Sequence, residues 1–120
     1  MITDNMLKGL FPGEHTKVST IFENADLSGQ DFSGKNLYGV NFRGADLRGT
    51  NFQGARLEKA DLTGADIRGA DLRGANLRNA NFTDADCAKV DFRGVYIRST
   101  NFTNTDTCGS IGIRFTTEYI

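Results

Sequence analysis

The chain has 120 residues, with 14 Lys or Arg against 15 Asp or Glu and a formal net charge of −1. This size fits one small domain with its own core. The N-terminus has no basic start and the chain has no sustained apolar run, so we expect neither a signal peptide nor a membrane span. We therefore expect a soluble cytoplasmic protein. Two cysteines are too few for a disulfide framework.

Residues 1–19 precede the regular part of the chain and are expected to form an N-terminal cap. Thr3 is a suitable N-cap for a short helix through Leu10, and Pro12 follows where such a helix should end. His15 is the only histidine, and it stands near no Cys or Ser in a recognisable nucleophile setting. We therefore expect a structural segment without catalytic residues.

Residues 20–104 repeat a five-residue unit seventeen times without a gap. The third position is always apolar, the first is usually small, the second is Asp or Asn in fourteen units, and Gly ends ten of them. A period of five matches neither a helix nor a flat strand, so the chain must turn within each unit. If the first and third positions point inward, a Gly at the fifth can turn the corner at little cost. Each unit is thus predicted to form one side of a coil in a solenoid.

A spacing of twenty residues, or four units, organises these units best. Phe and Leu-type centres alternate over much of the repeat, which requires an even number of units per coil. Acidic and basic residues also recur at this spacing: Asp26, Asp46, Asp66, Asp86 and Asp106 form one series, and Arg48 with Arg68, Arg73 with Arg93, and Arg78 with Arg98 form pairs. We predict four sides per coil, with Phe82 stacked on Phe102 and with Arg78 and Arg98 on one side.

Units such as Ala45–Gly49 and Ala70–Gly74 read Ala-Asp-Leu-Arg-Gly, and in this pattern the chain resembles the pentapeptide-repeat family, whose motif is A(D/N)LXX. The resemblance covers about seventy per cent of the chain. It implies an all-β fold, a right-handed parallel β-helix of square cross-section with about four coils here. The flanking segments would add a short N-terminal helical cap and a C-terminal strand.

Residues 105–120 follow the repeats and are expected to cap the last coil or to pair two copies as a homodimer. Ile111, Ile113 and Phe115 alternate with smaller or polar residues, which is typical of a strand. Together with the apolar residues at the C-terminus they offer a surface for either purpose.

The repeats contain no recognisable catalytic centre. Cys87 occupies an inward position and Cys108 an outward one, so we expect two free thiols. The aspartates of the Asp26 series, stacked about 4.8 Å apart, could share a cation, but Asp at a turn commonly bonds its own backbone. We expect no enzyme, no cofactor and no metal site.

Charge is uneven between the four predicted sides. We call residues 35–39, 55–59, 75–79 and 95–99 the basic side: its net charge is +4, whereas each of the other three sides is negative. It also departs from the motif, because Arg56 and Tyr96 stand where Asp or Asn is usual. Tyr and Arg are enriched in binding surfaces. The candidate partner-binding residues are Tyr38, Arg56, Arg78, Tyr96 and Arg98.

These features predict a non-enzymatic protein–protein interaction scaffold with a regulatory role and an unidentified protein partner. The resemblance implies scaffold roles in bacterial, often cyanobacterial, regulation. It also implies an alternative, a DNA mimic that inhibits or protects a type II topoisomerase, although this shaft has no acidic excess. Weak binding of nucleic acid or another anion to the basic side is a further alternative. We expect neither nucleic acid nor a membrane as the main partner.

Overall fold

The computed structural model describes residues 22–113. Within this range there is no α-helix and no extended strand, and the β-structure consists of isolated parallel bridges between residues twenty apart. The bridges form four columns: Asp26–Asp46–Asp66–Asp86–Asp106, Asp31–Asn51–Asp71–Asp91–Ile111, Asn36–Arg56–Asn76–Tyr96 and Asn41–Asp61–Asn81–Asn101. Residues twenty apart therefore lie above one another, as the sequence spacing predicts.

Backbone hydrogen bonds join each unit to the coils above and below it. The N–H of Leu47 donates to the carbonyl of Asp66 at 2.7 Å, and the N–H of Asp66 donates to the carbonyl of Ala45 at 3.0 Å. Within a coil, the N–H of Ala65 donates to the carbonyl of Leu62 at 3.0 Å and closes a corner. One bridge per side is all that five residues allow, since the rest of each unit turns the chain.

The corners require a left-handed backbone at the fifth position of the unit. Gly64 has a φ of 67° there, and Lys59 and Lys89 adopt nearly the same conformation with φ values of 60° and 61°. A residue with a Cβ is disfavoured in this region. Gly is therefore frequent at the fifth position, and the other residues found there accept some strain.

The core is a column of side chains from the first and third positions of the units. The rings of Phe32 and Phe52 lie 5.5 Å apart at an interplanar angle of 12°, and those of Phe82 and Phe102 lie 5.3 Å apart. The predicted stacking of Phe82 on Phe102 is thus confirmed. Thr50 is the one buried polar residue between residues 22 and 113, and its hydroxyl donates to the carbonyl of Leu27 at 3.1 Å.

The stacking continues beyond residue 104. Ile111 bridges Asp91, and its N–H donates to the carbonyl of Val90 at 3.0 Å. The predicted N-terminal helix and His15 lie outside the described residues, as does Phe115 of the predicted C-terminal strand. Residues 22–113 contain no helix that is long and apolar enough to span a membrane.

Candidate functional site

The basic side presents two parallel columns of outward side chains. The second positions of its units form the bridged column Asn36–Arg56–Asn76–Tyr96. The fourth positions form the other column, and their carbonyls accept hydrogen bonds from fifth-position residues one coil earlier. The N–H of Lys59 donates to the carbonyl of Arg78 and the N–H of Asn79 donates to that of Arg98, both at 3.0 Å. The structure thus places all five candidate residues on one side. Their side-chain contacts differ, however, and separate them into two groups along that side.

Arg56 does not carry an uncompensated charge. Its Nη2 atom donates to Oε2 of Glu58 at 3.2 Å. The Glu58 side chain is only 15% exposed, and its Oε1 atom is buried without a hydrogen-bond partner among the described residues. This acidic residue reduces the positive potential in the first half of the basic side.

Tyr38 pairs with Lys59, which is not one of the five candidate residues. The Nζ atom of Lys59 lies 5.8 Å from the centre of the Tyr38 ring, on the next coil, within the range of a cation–π interaction. The pairing is diagonal, from the fourth position of one unit to the fifth position twenty-one residues later. A search for aromatic and cationic residues at diagonal as well as vertical spacings would have found Lys59.

Arg78, Tyr96 and Arg98 form the second half of the basic side, and we call these three residues the basic patch. The Cζ atom of Arg78 lies 4.8 Å from the centre of the Tyr96 ring. Tyr96 is 52% exposed, one of two large hydrophobic side chains with high exposure between residues 22 and 113. Arg78 and Arg98 are both exposed and occupy the same position on successive coils.

Arginines on the other sides differ from those of the basic patch because they are paired with carboxylates. The closest nitrogen–oxygen distance is 2.6 Å for Arg48 with Asp46, 2.6 Å for Arg73 with Asp71 and 2.7 Å for Arg93 with Asp91. Of the eight arginines in residues 22–113, only two have no carboxylate within 4.0 Å. These two are Arg78 and Arg98.

The residue two positions before each arginine explains why some arginines are paired with a carboxylate and others are not. An Asp at the second position of a unit faces the Arg at the fourth, and the side-chain hydrogen bond from Arg48 lowers the pKa of Asp46 to about 2. Hydrogen bonds from arginines likewise lower the pKa of Asp71 and Asp91. Arg78 and Arg98 follow Asn76 and Tyr96 instead, so neither has a carboxylate in its own unit.

A turn hydrogen bond is also missing from two units of the basic side. In fifteen units of the described range, Oδ1 of the second-position Asp or Asn accepts the backbone N–H two residues later. Asn76, for example, accepts the N–H of Arg78 at 3.2 Å. Arg56 and Tyr96 cannot provide this acceptor. Both exceptions therefore lie on the side that carries the candidate residues.

The aspartate series beginning at Asp26 has a structural role in the described residues. Its carboxylates accept backbone N–H groups at the turns and pair with arginines such as Arg68, whose Nη2 lies 2.6 Å from Oδ2 of Asp66. No group of three or more potential metal ligands occurs between residues 22 and 113. Cys87 is buried and Cys108 exposed, both as free thiols, which confirms their predicted placement, and burial raises the pKa of Cys87.

Comparison with known proteins agrees with the repeat pattern. The family model for pentapeptide repeats matches eight copies over residues 20–58, 41–79, 60–98 and 75–110. A crystal structure of a pentapeptide repeat protein from the Arabidopsis thaliana thylakoid lumen is 36% identical, with a TM-score of 0.53, over 87% of this chain and 70% of that one. The comparison with curated proteins found no match.

Two cyanobacterial proteins are also similar to the chain. Alr5209 of Nostoc PCC 7120 is 36% identical over 78% of this chain and 72% of its own, with a TM-score of 0.46. HetL of Nostoc sp. strain PCC 7120, a protein involved in the regulation of heterocyst differentiation, is 27% identical over 75% of this chain and 52% of its own, with a TM-score of 0.43. Pentapeptide repeats of this kind imply a right-handed β-helix, and the chain belongs to the pentapeptide repeat family.

Proposed function

We propose that the protein is a non-catalytic scaffold that binds another protein through the basic patch. One observation carries this proposal: the two arginines without a carboxylate partner in residues 22–113 lie one coil apart, beside the exposed ring of Tyr96. Arg and Tyr side chains dominate the energetics of many protein interfaces. A regulatory role and a cytoplasmic location remain predictions.

Tyr96 supports the proposal because it is unfavourable for the fold on its own. It replaces a residue type that supplies a turn hydrogen bond in fifteen other units, and it exposes about half of a large ring to solvent. Residues that lower stability without serving the core are common at functional surfaces. Binding a partner would give this ring a favourable environment.

The same contacts make a DNA mimic a weaker proposal. A mimic needs an excess of uncompensated negative charge along the shaft. Here Asp46, Asp66, Asp71 and Asp91 each lie within 2.7 Å of a guanidinium nitrogen. These carboxylates are therefore largely neutralised by their own arginines.

Homodimerisation through residues 105–120 is a second proposal, and the exposure of Ile111 favours it. Its side chain is 51% exposed on the last described coil. An Ile111→Asp variant should then shift the protein from dimer to monomer in sedimentation equilibrium. A wild-type protein that is monomeric at all concentrations would exclude the dimer.

The scaffold proposal is tested by affinity capture from the source organism with quantitative mass spectrometry. The variant R78Q/R98Q removes the unpaired arginines, and R73Q/R93Q removes two arginines at the same unit position in the same two coils, one side away. We expect a partner that R73Q/R93Q retains and R78Q/R98Q loses. A set of captured proteins that is identical for wild type and both variants would contradict the proposal.

A further inference from the structure

We infer that the ligand of the basic patch is an acidic protein segment, a short run of Asp and Glu side chains on the partner. The inference rests on the proposed function and specifies the chemistry of the partner. Arg78 and Arg98 are the cations, and Tyr96 is the ring that accompanies them. Carboxylates match these cations because a guanidinium can donate two parallel hydrogen bonds to one carboxylate.

The other sides of this protein already show how such a pairing looks. Nε and Nη2 of Arg93 donate to the two oxygens of Asp91 at 3.0 and 2.7 Å. Arg73 makes the same two-point contact with Asp71, at 2.9 and 2.6 Å. Arg78 and Arg98 stand at the equivalent position of their units, and the second position of each unit has Asn76 or Tyr96 in place of Asp. A partner carboxylate would complete on the basic patch the contact that the chain makes internally elsewhere.

Tyr96 helps to present Arg78 to such a partner. A guanidinium held over an aromatic ring keeps the N–H donors at its edge available. The contact with Tyr96 already restricts the rotamers of Arg78 in the free protein. Less side-chain entropy is therefore lost when a partner binds. Arg98 has no contact of this kind among the described residues, and we expect it to become ordered when the acidic segment binds.

A narrow acidic segment fits the surroundings better than a nucleic acid does. The side that follows the basic patch, residues 80–84 and 100–104, has Asp84 as its one acidic residue and no basic residue. Asp84 is exposed, its hydrogen-bond partner is the neutral Asn104 amide, and no cation pairs with it among residues 22–113. A duplex or a long single strand that extended over this side would meet the Asp84 carboxylate, whereas a peptide lying along the basic side would avoid it.

The test uses a fluorescein-labelled octaglutamate peptide in fluorescence anisotropy with the full chain. We expect saturable binding that weakens with added salt. R78Q/R98Q should weaken binding at least about tenfold, whereas R73Q/R93Q should change it less than about threefold although the net charge changes equally. Circular dichroism and thermal unfolding verify that both variants are folded.

Further probes and outcomes separate the inference from its alternatives. A labelled octaglutamine peptide should not bind, and an oligothymidylate of similar charge or phosphatidylserine vesicles should bind more weakly than octaglutamate. No octaglutamate binding, equal losses in the two double variants, or stronger binding to either of the other anions would overturn the inference. If capture still finds a protein that depends on Arg78 and Arg98, but octaglutamate does not bind, the scaffold stands and only the acidic-segment inference fails.

Discussion

The guanidinium carbon of Arg78 lies 4.8 Å from the centre of the Tyr96 ring, and the two residues belong to successive coils of the solenoid. Tyr96 occupies a position at which most units have Asp or Asn. The one residue thus supplies an exposed ring, removes the acceptor for a turn hydrogen bond, and leaves Arg98 without a carboxylate in its own unit. The same substitution of Tyr for Asp or Asn thus lowers the stability of one turn and creates part of the proposed binding surface.

Replacing Tyr96 with Asn should stabilise the fold and impair binding. Asn at this position would restore the acceptor that Asn76 provides to Arg78 at 3.2 Å. We expect the free energy of unfolding to rise by about 1 kcal/mol, the usual net value of such a hydrogen bond. Urea unfolding measures this change, and octaglutamate binding should weaken in parallel. Tyr96→Phe is the control, since it restores no acceptor; equal stability of Y96N and Y96F would refute the explanation.

Glu58 should limit the affinity of the basic side for anions. It is the single acidic residue of this side, and it compensates Arg56 at 3.2 Å. Glu58→Gln leaves Arg56 uncompensated, and we expect octaglutamate to bind about two- to threefold more tightly at low salt. Asp26→Asn removes one negative charge from another side and preserves an acceptor at its turn. If both variants change binding equally, net charge rather than the position of Glu58 is responsible.

The left-handed corners predict opposite effects for two reciprocal substitutions. Lys89 has a φ of 61°, and Lys89→Gly should raise the stability by about 0.5–1 kcal/mol because it relieves this strain. Gly69 has a φ of 69°, and a Cβ at this position would have no atom within 4 Å. Gly69→Ala therefore introduces backbone strain without a steric clash and should lower the stability by about 1 kcal/mol. Thermal unfolding compares the two. Effects of the same sign would contradict a conformational origin.

Acid should destabilise the fold through the paired aspartates. The hydrogen bonds from Arg48 hold the pKa of Asp46 at about 2, below the ordinary value of about 3.9. A lowered pKa means that the ionised form stabilises the fold, so this contribution is complete above about pH 4 and is lost as the pH falls towards 2. Urea unfolding across this range measures the loss. Asp46→Asn retains the turn acceptor without the charge and should flatten the pH dependence; a profile as steep as that of wild type would exclude Asp46 as a contributor.

Much of the fold could be predicted from the sequence because the repeat is nearly regular. A spacing of twenty is enough to place Phe82 on Phe102, at 5.3 Å, and to bring Arg78 and Arg98 to one side. The twenty-residue spacing gives the backbone position of each residue, but it does not give the direction in which a long side chain extends. Lys59 contacts Tyr38 diagonally, and Arg56 pairs with Glu58 within one unit. Both contacts depend on side-chain rotamers, which the repeat pattern does not specify.

The sequence predicts that the five candidate residues share one side of the solenoid, but it does not predict their contacts. Net charge distinguishes the basic side from the other three, yet it gives Arg56 and Arg78 equal weight. The structure distinguishes them because, among residues 22–113, Arg56 has a carboxylate partner and Arg78 has none. The sequence contains a local signal for this difference, since Arg48 and Arg73 follow Asp by two residues whereas Arg78 and Arg98 follow Asn and Tyr.

The most direct test of the proposed binding surface is an NMR titration of the ¹⁵N-labelled protein with unlabelled octaglutamate. We expect the largest chemical-shift changes at the backbone amides of residues 76–79 and 96–99, with smaller changes at residues 71–74 and 91–94 on the preceding side. Changes that are largest around Arg73 and Arg93, or that spread evenly over all four sides, would contradict the assignment of the surface to Arg78, Tyr96 and Arg98.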